Sequence, residues 1–412
     1  MRFLHTSDWH LGQTLHSFER VYEHQCFLDW LLQTLVDERI DALLIAGDIY
    51  DNANPSAASQ KQLYRFLRQA KSAVPHLNIV IIAGNHDSPG RLEAPGPLLE
   101  EHEVSVVGNV LRDQAGAIAL ERLVLPLKNR EGSVAAWCLA VPFLRPGDVP
   151  RVDGAADLYA EGIALLYRQA LDLALAQRSP GQAIVALGHC HMTGGAQSAD
   201  SERRVVIGGS EALSAAMFGP EVAYAALGHL HLAQVVGQQP HLRYSGSPLP
   251  MSFSEIPYKH QVLRFDIDGE RAVDITPLPV PRAVDLMRVP AVPGPVDDVL
   301  AALQALPAKS GEHAPYLEVR VRLDAPEPGL RARVEAALEG RHARLARIDT
   351  SLPQRAGEGD AADALSLDQI DSLRPDDIFR RLYRQKFDCD APDDQLSAFA
   401  ELMTAASHGP AA

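Results

Sequence analysis

No two cysteines of this sequence stand at C-x-x-C spacing, and only four occur at all: Cys26, Cys138, Cys190 and Cys389. A disulfide framework and a thiolate zinc site are therefore not indicated. Cys190, between two histidines, is the one position where zinc ligation competes with packing, and packing is the expectation. Long apolar runs are missing too, none reaching the roughly 20 residues of a membrane span. The opening MRFLHTSDWH lacks the basic start and long apolar stretch of a signal peptide. A cytoplasmic protein with no membrane association is expected. The third shortage is of positive charge. Lys and Arg number 38 against 53 Asp and Glu, a net charge of −15, and phosphate contacts normally come from Lys and Arg. This speaks against a stand-alone nucleic-acid binder. The shortage is uneven, however. Between Arg282 and Asp349 bases balance acids, and every base but Lys309 is Arg, so this segment is the one suited to face phosphates.

What is present is an ordinary globular composition, 46% hydrophobic and 22% charged over 412 residues, enough for one large domain with smaller attachments. Short apolar runs at Arg2 to Thr6, Ala42 to Ala46, Ile79 to Ala83 and Ala183 to Leu187 predict strands. Helical periodicity fills Glu19 to Glu38, Ser56 to Ala73 and Ala156 to Ala176. Continuous apolar strands between helices indicate a sheet covered by helices on both faces. From Val205 to Ile275 the pattern changes to short strands and Gly/Pro turns, which fits a second sheet packed on the first. After PLPVP (Pro277 to Pro281) comes a small α+β pattern with strands near Ala283 to Val289, Tyr316 to Leu323 and Ala343 to Ile348. The stretch SLPQRAGEGDAAD reads as a flexible linker. Two helices come after it, one carrying Ile378, Phe379, Leu382, Tyr383 and Phe387, the other Leu396, Phe399, Ala400 and Met403. Two helices alone make a poor core and need a surface to bury against.

The chemistry-bearing residues recur at strand ends. The first strand runs into SDWH (Asp8, His10), the second into GDIYD (Asp48, Asp51) and the third into GNHD (Asn85, His86, Asp87). Later strands run into GHCH (His189, His191) and GHLH (His229, His231). In α/β sheets ligands bind at the carboxyl ends of the strands, so five such loops converge on one site. Residues two apart in extended chain point to the same side, which would let Asp8 and His10 act together. Any one of these motifs alone fits a turn. All five in the same position relative to strands do not. Carboxylate, imidazole and amide oxygen without thiolate suit Mn²⁺ or Fe²⁺ and leave Mg²⁺ and Zn²⁺ open. The donors suffice for two ions about 3.5 to 4 Å apart, bridged by a carboxylate such as Asp48, and such ions make water acidic enough to attack a phosphate ester.

In this order the motifs resemble the calcineurin-like metallophosphoesterases. More narrowly, HTSDWHLG, AGDIYD, AGNHDSP and ALGHLHLAQ followed by YSGSPLPMSFSE are similar to the SbcD family, the nuclease subunits of bacterial SbcCD complexes. The resemblance covers residues 1 to 275 by motif and the rest by layout. It implies a two-sheet α/β sandwich of the metallophosphoesterase type, with a small α+β cap domain and a C-terminal helical pair. The implied divisions are a nuclease domain over 1–278, a DNA-binding cap over 279–350, a linker over 351–365 and C-terminal helices over 366–412. By the same resemblance Asp8, His10, Asp48 and His231 would hold one Mn²⁺, and Asp48, Asn85, His189 and His229 the other. His86 would sit beside the scissile phosphate, with Asp87 orienting it. The implied activity is double-strand 3′–5′ exonuclease and single-strand or hairpin endonuclease action in DNA end processing, repair and recombination. The implied partners are DNA, an SbcC-type ATPase whose coiled coil the C-terminal helices dock, and a second copy of the chain within a heterotetramer.

Asp51 is read as a turn or hydrogen-bonding residue, His191 receives no ligand role, and His5, His16 and His24 are read as core or surface histidines. Two other functions compete: a phosphatase or small-molecule phosphodiesterase with the same site, and an idle scaffold that recruits the ATPase. The Arg-bearing cap and the helical pair disfavour the first, the full ligand set the second. Given the charge, the isolated chain is expected not to hold long duplex DNA at nanomolar concentration in physiological salt. A mobility-shift titration checks this, and tight binding overturns it.

Overall fold

The computed structural model describes residues 1–152, 154–155, 157–196, 212–323 and 327–351, with 383, 392, 395 and 396 beyond them. The chain divides into two units, Met1–Leu352 and Pro353–Ala412, and the sheets and the ligand motifs lie in the first. Apart from those four positions, the expected C-terminal helical pair and the linker after Ser351 lie outside the described residues. No helix among the described residues is long and apolar enough to cross a membrane.

In chain order come β1 (Arg2–Thr6), a small hairpin of β2 (Thr14–Leu15) and β3 (Phe18–Glu19), and α1 (Val21–Asp37). Then come β4 (Ala42–Ala46), α2 (Ala57–Ala73), β5 (Asn78–Ile82), the short helices α3 (Pro89–Glu93) and α4 (Gly96–Glu100), and β6 (Val104–Val107). Next are β7 (Val124–Lys128), β8 (Val134–Ala140), α5 (Leu158–Gln177), β9 (Ala183–His189), β10 (Val222–Gly228), β11 (Gln234–Val235) and β12 (Leu242–Tyr244). The chain continues through β13 (Gln261–Asp268) and β14 (Arg271–Pro279), and the cap is built of β15 (Leu286–Gly294), α6 (Val296–Gln304), β16 (Tyr316–Arg322), α7 (Leu330–Ala337) and β17 (Arg344–Ser351). Helix starts obey local chemistry. The Ser56 hydroxyl accepts from the Ser59 amide at the head of α2, and the Asp157 carboxylate accepts from Tyr159 and Ala160 at the head of α5.

Two six-stranded sheets form, ordered β14-β13-β1-β4-β5-β6 and β11-β12-β10-β9-β8-β7. The run β1, β4, β5, β6 is parallel, as is β8, β9, β10, β12. The period of two sorts the first sheet's side chains. Phe3, Leu44, Ala46, Val80 and Ile82 enter the core shared with Leu139, Ile184, Tyr224 and Ala226 of the second sheet. Leu4, Leu43, Ile45, Ile79 and Ile81 face Phe27, Leu31 and Leu35 of α1 and Leu63 and Phe66 of α2. Each Val, Leu, Ile or Phe buried in this way contributes about 1.5–3 kcal/mol.

This corrects one expectation. The first sheet has helices on one face and the second sheet on the other, because a run buried under a sheet is as continuously apolar as one buried under a helix. The second sheet also begins at Val124 rather than after Val205, and it includes β9. Strands β13 and β14 return to the first sheet, where β13 pairs antiparallel with β1. His5 is a core histidine, as expected. Buried between the layers and pushed down to about 3 by burial, it is neutral, and its ring bonds Tyr224 Oη (3.0 Å) and the Leu227 carbonyl (3.2 Å) of β10.

The cap sheet, β15-β16-β17, is parallel and packs its own core of Val299, Leu303, Leu317, Val319 and Val334. It meets the rest through Leu15, Phe253, Val284, Leu286 and Tyr316, with the Arg344 guanidinium 4.0 Å from the Tyr316 ring centre. Trp9, fully buried between Asp8 and His10, meets Phe27 and Phe66 edge-on at 5.6 and 5.5 Å, and its Nε1 donates to Thr6 Oγ1 at 3.0 Å. It pins the first loop to the helical core. Trp9→Ala is expected to lose about 3–5 kcal/mol, read as a lower midpoint in urea; a shift below 1 kcal/mol, roughly surface behaviour, would refute the pin.

Candidate metal centre

Strands β1, β4 and β5 of one sheet and β9 and β10 of the other end at one edge, where all five motifs meet. The loops are laced together by backbone bonds, from the Asp8 amide to the Gly47 carbonyl and from the His10 amide to the Asp48 carbonyl, each 3.0 Å. The expected extended geometry is not what brings Asp8 and His10 together. Asp8, His10, Asp48 and His229 all take positive φ, at 55°, 47°, 49° and 102°, a region that L-residues seldom occupy because of Cβ crowding. Such conformations cost about 1–3 kcal/mol each and persist where surrounding bonds over-determine them, as the lacing does here. The glycines preceding the ligands have a steric reason as well. A Cβ on Gly84 would strike the Asp48 carboxylate, and one on Gly228 the Ala46 carbonyl.

Three groups of donor atoms lie within 4.8 Å of one another: Asp8, His10 and His231; His10, Asp48 and His86; and Asp8, Asp48 and His189. Asp8, His10 and Asp48 each belong to two of the three groups, so the groups merge into one cluster. The remaining residues join through Asn85, whose Oδ1 lies 3.0 Å from His189 Nε2 and 2.9 Å from His229 Nδ1. Four of the rings share one orientation, and His229, whose Nδ1 faces Asn85, is the exception. His189 Nδ1 donates to the Ala46 carbonyl (2.9 Å), His231 Nδ1 to Glu255 Oε1 (2.9 Å) and His86 Nδ1 to the Asp51 carbonyl (2.7 Å), while His10 Nδ1 lies 3.4 Å from Asp51 Oδ1. An outward partner on Nδ1 fixes the tautomer and leaves the Nε2 lone pair facing inward. His10 Nε2 is buried, 3.6 Å from Asp48 Oδ2, with no hydrogen-bond partner. His189 Nε2 faces oxygens of Asn85 and, at 3.4 Å, Asp48. Lone pairs turned toward one another in a dry pocket fit cations.

The charges agree. Burial pushes Asp48 up, yet His189 first, then His10 and His86, hold it well below the usual carboxylate range. Asp8 is raised by burial and by the Asp48 charge beside it, with His189, His231 and His10 opposing. Its Oδ2 accepts from Ser7 at 2.5 Å and its Oδ1 from the His229 amide at 2.9 Å. Two buried carboxylates facing each other call for positive charge.

One role is corrected. Asp87 does not supply the contact seen on the His86 ring; its oxygens accept from the Gly84, Ile49 and Tyr50 amides at 2.8, 3.1 and 2.9 Å, clamping the β4 and β5 loops together. Burial, with Asp48 adding, pushes it up to about 6. Orientation of His86 falls to the Asp51 carbonyl instead. Cys190 is a packing residue, its thiol pushed up to about 12 by burial and its Sγ 3.7 Å from Met192 Sδ. Sequence reasoning overlooked Glu255, fully buried, whose other oxygen accepts from the Met251 amide at 2.7 Å. Its only trace was its place at the end of YSGSPLPMSFSE. Glu255→Ala is expected to weaken divalent-cation binding about 10- to 100-fold in calorimetric titration, and unchanged affinity would remove it from the site.

Comparison with known proteins agrees with this geometry. Residues 1–233 match the calcineurin-like phosphoesterase family, and residues 282–387 match the type 5 capsule protein repressor C-terminal domain. The chain is 40% identical over 363 residues to the D subunit of the nuclease SbcCD of Rhodobacter capsulatus, spanning 86% of this chain and 89% of that protein. It is 30% identical over 422 residues to the protein of that name from Escherichia coli K12, spanning 99% and 98%. Against the Bacillus subtilis protein it is 36% identical over 275 residues, spanning 66% and 68%. The chain therefore belongs to the calcineurin-like phosphoesterases and, within them, to the SbcD family.

Proposed function

We propose that this chain is the nuclease subunit of an SbcCD-type complex, a metal-dependent phosphodiester hydrolase that cuts DNA. One observation carries the reading: imidazoles tied outward at Nδ1 surround two buried carboxylates and present Nε2 to the space between. Asp8, His10, Asp48 and His231 would hold one ion, and Asp48, Asn85, His189 and His229 the other, with Mn²⁺ among the metals the donor set suits. When bound, such ions supply Lewis acidity toward a phosphodiester oxygen and acidify water.

The chain's own residues supply the rest. His86 is only half-buried, so it stands at the mouth of the site where a substrate arrives. With Nδ1 engaged by the Asp51 carbonyl, the ring offers Nε2 to the phosphodiester, suited to carry the proton that the leaving 3′ oxygen takes up. The Arg-bearing cap over 279–350 fits a role in holding DNA, and the helices over 366–412 a role in docking the SbcC-type ATPase. The acidic balance supports this division of labour, since a basic partner would then provide much of the DNA affinity. A homodimer inside a cytoplasmic heterotetramer completes the proposal.

Purified chain with Mn²⁺ is expected to cut labelled duplex or hairpin DNA, and a chelator to abolish it. His86→Ala is expected to lower the rate about 10²- to 10⁴-fold without loss of fold by circular dichroism. Hydrolysis of a generic phosphate ester with DNA untouched, even with SbcC and ATP added, would move the function to a phosphatase.

A further inference from the structure

A continuous line of polar groups, buried except at the half-buried Gln13, runs from the cap to the metal centre. Tyr316, on the first residue of β16, donates from Oη to Glu23 Oε1 at 2.7 Å. Glu23 is gripped by Arg20, Nε to Oε1 at 3.1 Å and Nη2 to Oε2 at 2.6 Å. The same guanidinium donates from Nη1 to the Pro250 carbonyl (2.6 Å) and to Gln13 Oε1 (3.0 Å). From there the line branches. The Gln13 amide donates to the His10 carbonyl at 2.9 Å, and Gln13 Nε2 donates to the Met251 carbonyl at 3.2 Å. The Met251 amide holds Glu255 Oε2, and Glu255 Oε1 holds His231 Nδ1. Tyr316, Glu23, Arg20 and Glu255 are each at most 2% exposed.

Stability does not account for this line. A buried ion pair is often no more stabilising than apolar side chains of the same volume, and the adjoining seam of Leu15, Phe253, Val284 and Leu286 is built of just those. What a directional line supplies, and an apolar seam does not, is a fixed distance between its ends. Both branches finish at ligands of the same ion, His10 and His231.

We propose that Tyr316, Glu23 and Arg20 are positioning residues through which the seating of the cap sets the His10 and His231 side of the metal centre. The proposal rests on the metal-dependent reading above and adds to it a coupling between the DNA-facing part and the ion. A cap displaced from Glu23 leaves a buried carboxylate short of one donor, and the bonds from Arg20 and Gln13 pass that change to the Pro250 and Met251 carbonyls.

The test uses the full chain and two readouts: Mn²⁺ affinity by calorimetry, and hydrogen exchange of segment 249–256 in metal-free buffer, which reports the Met251 amide. Tyr316→Phe deletes one hydroxyl and keeps the ring in the seam. It is expected to weaken Mn²⁺ binding about 2- to 30-fold and to quicken exchange of 249–256 while β4 exchanges as before. Adding it to Glu255→Ala is expected to bring little further loss, because both act on one line. Leu303→Ala, which loosens the cap core away from the line, is expected to leave both readouts alone. Unchanged exchange and affinity in Tyr316→Phe, or equal effects from Leu303→Ala, overturn the coupling. Local exchange that quickens in a chain unable to cut DNA upholds the coupling and sinks the nuclease reading alone.

Discussion

Two carboxylates, Asp8 and Asp48, share one dry pocket, and the structure around them is arranged to make that tolerable. Isolated buried charge is costly, and it is tolerated only when paired, hydrogen-bonded or bound to metal. Asp8 receives a serine hydroxyl and a backbone amide, and Asp48 receives the His86 amide at 2.9 Å. Around them the imidazoles stand as removable positive charge or as neutral donors of a lone pair. The positive-φ backbone, the glycines pressed against carboxylate and carbonyl, and the outward anchors on Nδ1 of His10, His86, His189 and His231 are all conditions for holding these groups at close range without letting them relax apart.

The layered fold serves the same end. A single parallel sheet offers ligands from one row of strand ends, whereas here two sheets stacked face to face bring two rows to one edge. Asp8, Asp48 and Asn85 come from one layer and His189, His229 and His231 from the other, so the candidate ion site spans the inter-sheet core. Packing between layers thereby holds the two rows at a fixed spacing, and His5 bonds Tyr224 and Leu227 across that core.

Much of this was legible in the sequence because the informative residues lie in short local motifs. The strands Arg2–Thr6 and Ala42–Ala46 and the ends of α2 were readable from apolar runs and from Ser56. Asp8, His10, Asp48, Asn85, His189, His229 and His231 stood out because each comes just after a strand or at its end. What escaped was non-local. No periodicity tells a strand buried under a helix from one buried under a sheet, so the start of the second layer at Val124 and the return of β13 and β14 to the first were missed. Asp87 was misassigned because proximity in sequence suggested proximity in space, while the His86 ring is held by a carbonyl 35 positions earlier. Glu255 carried too weak a local signal, being an acid in a Ser- and Pro-rich turn.

The placement of β1 has a consequence for synthesis. It lies in the middle of its sheet, flanked by β4 on one side and on the other by β13, where Arg2 pairs with Asp266. A ribosome that has just finished the first strand must still make every residue through β13 before that edge is covered, and His229 and His231 arrive nearly as late. Contacts of such sequence separation form slowly. The candidate centre is therefore assembled late on the growing polypeptide, only after the residues through His231 have been made and β13 has covered that edge.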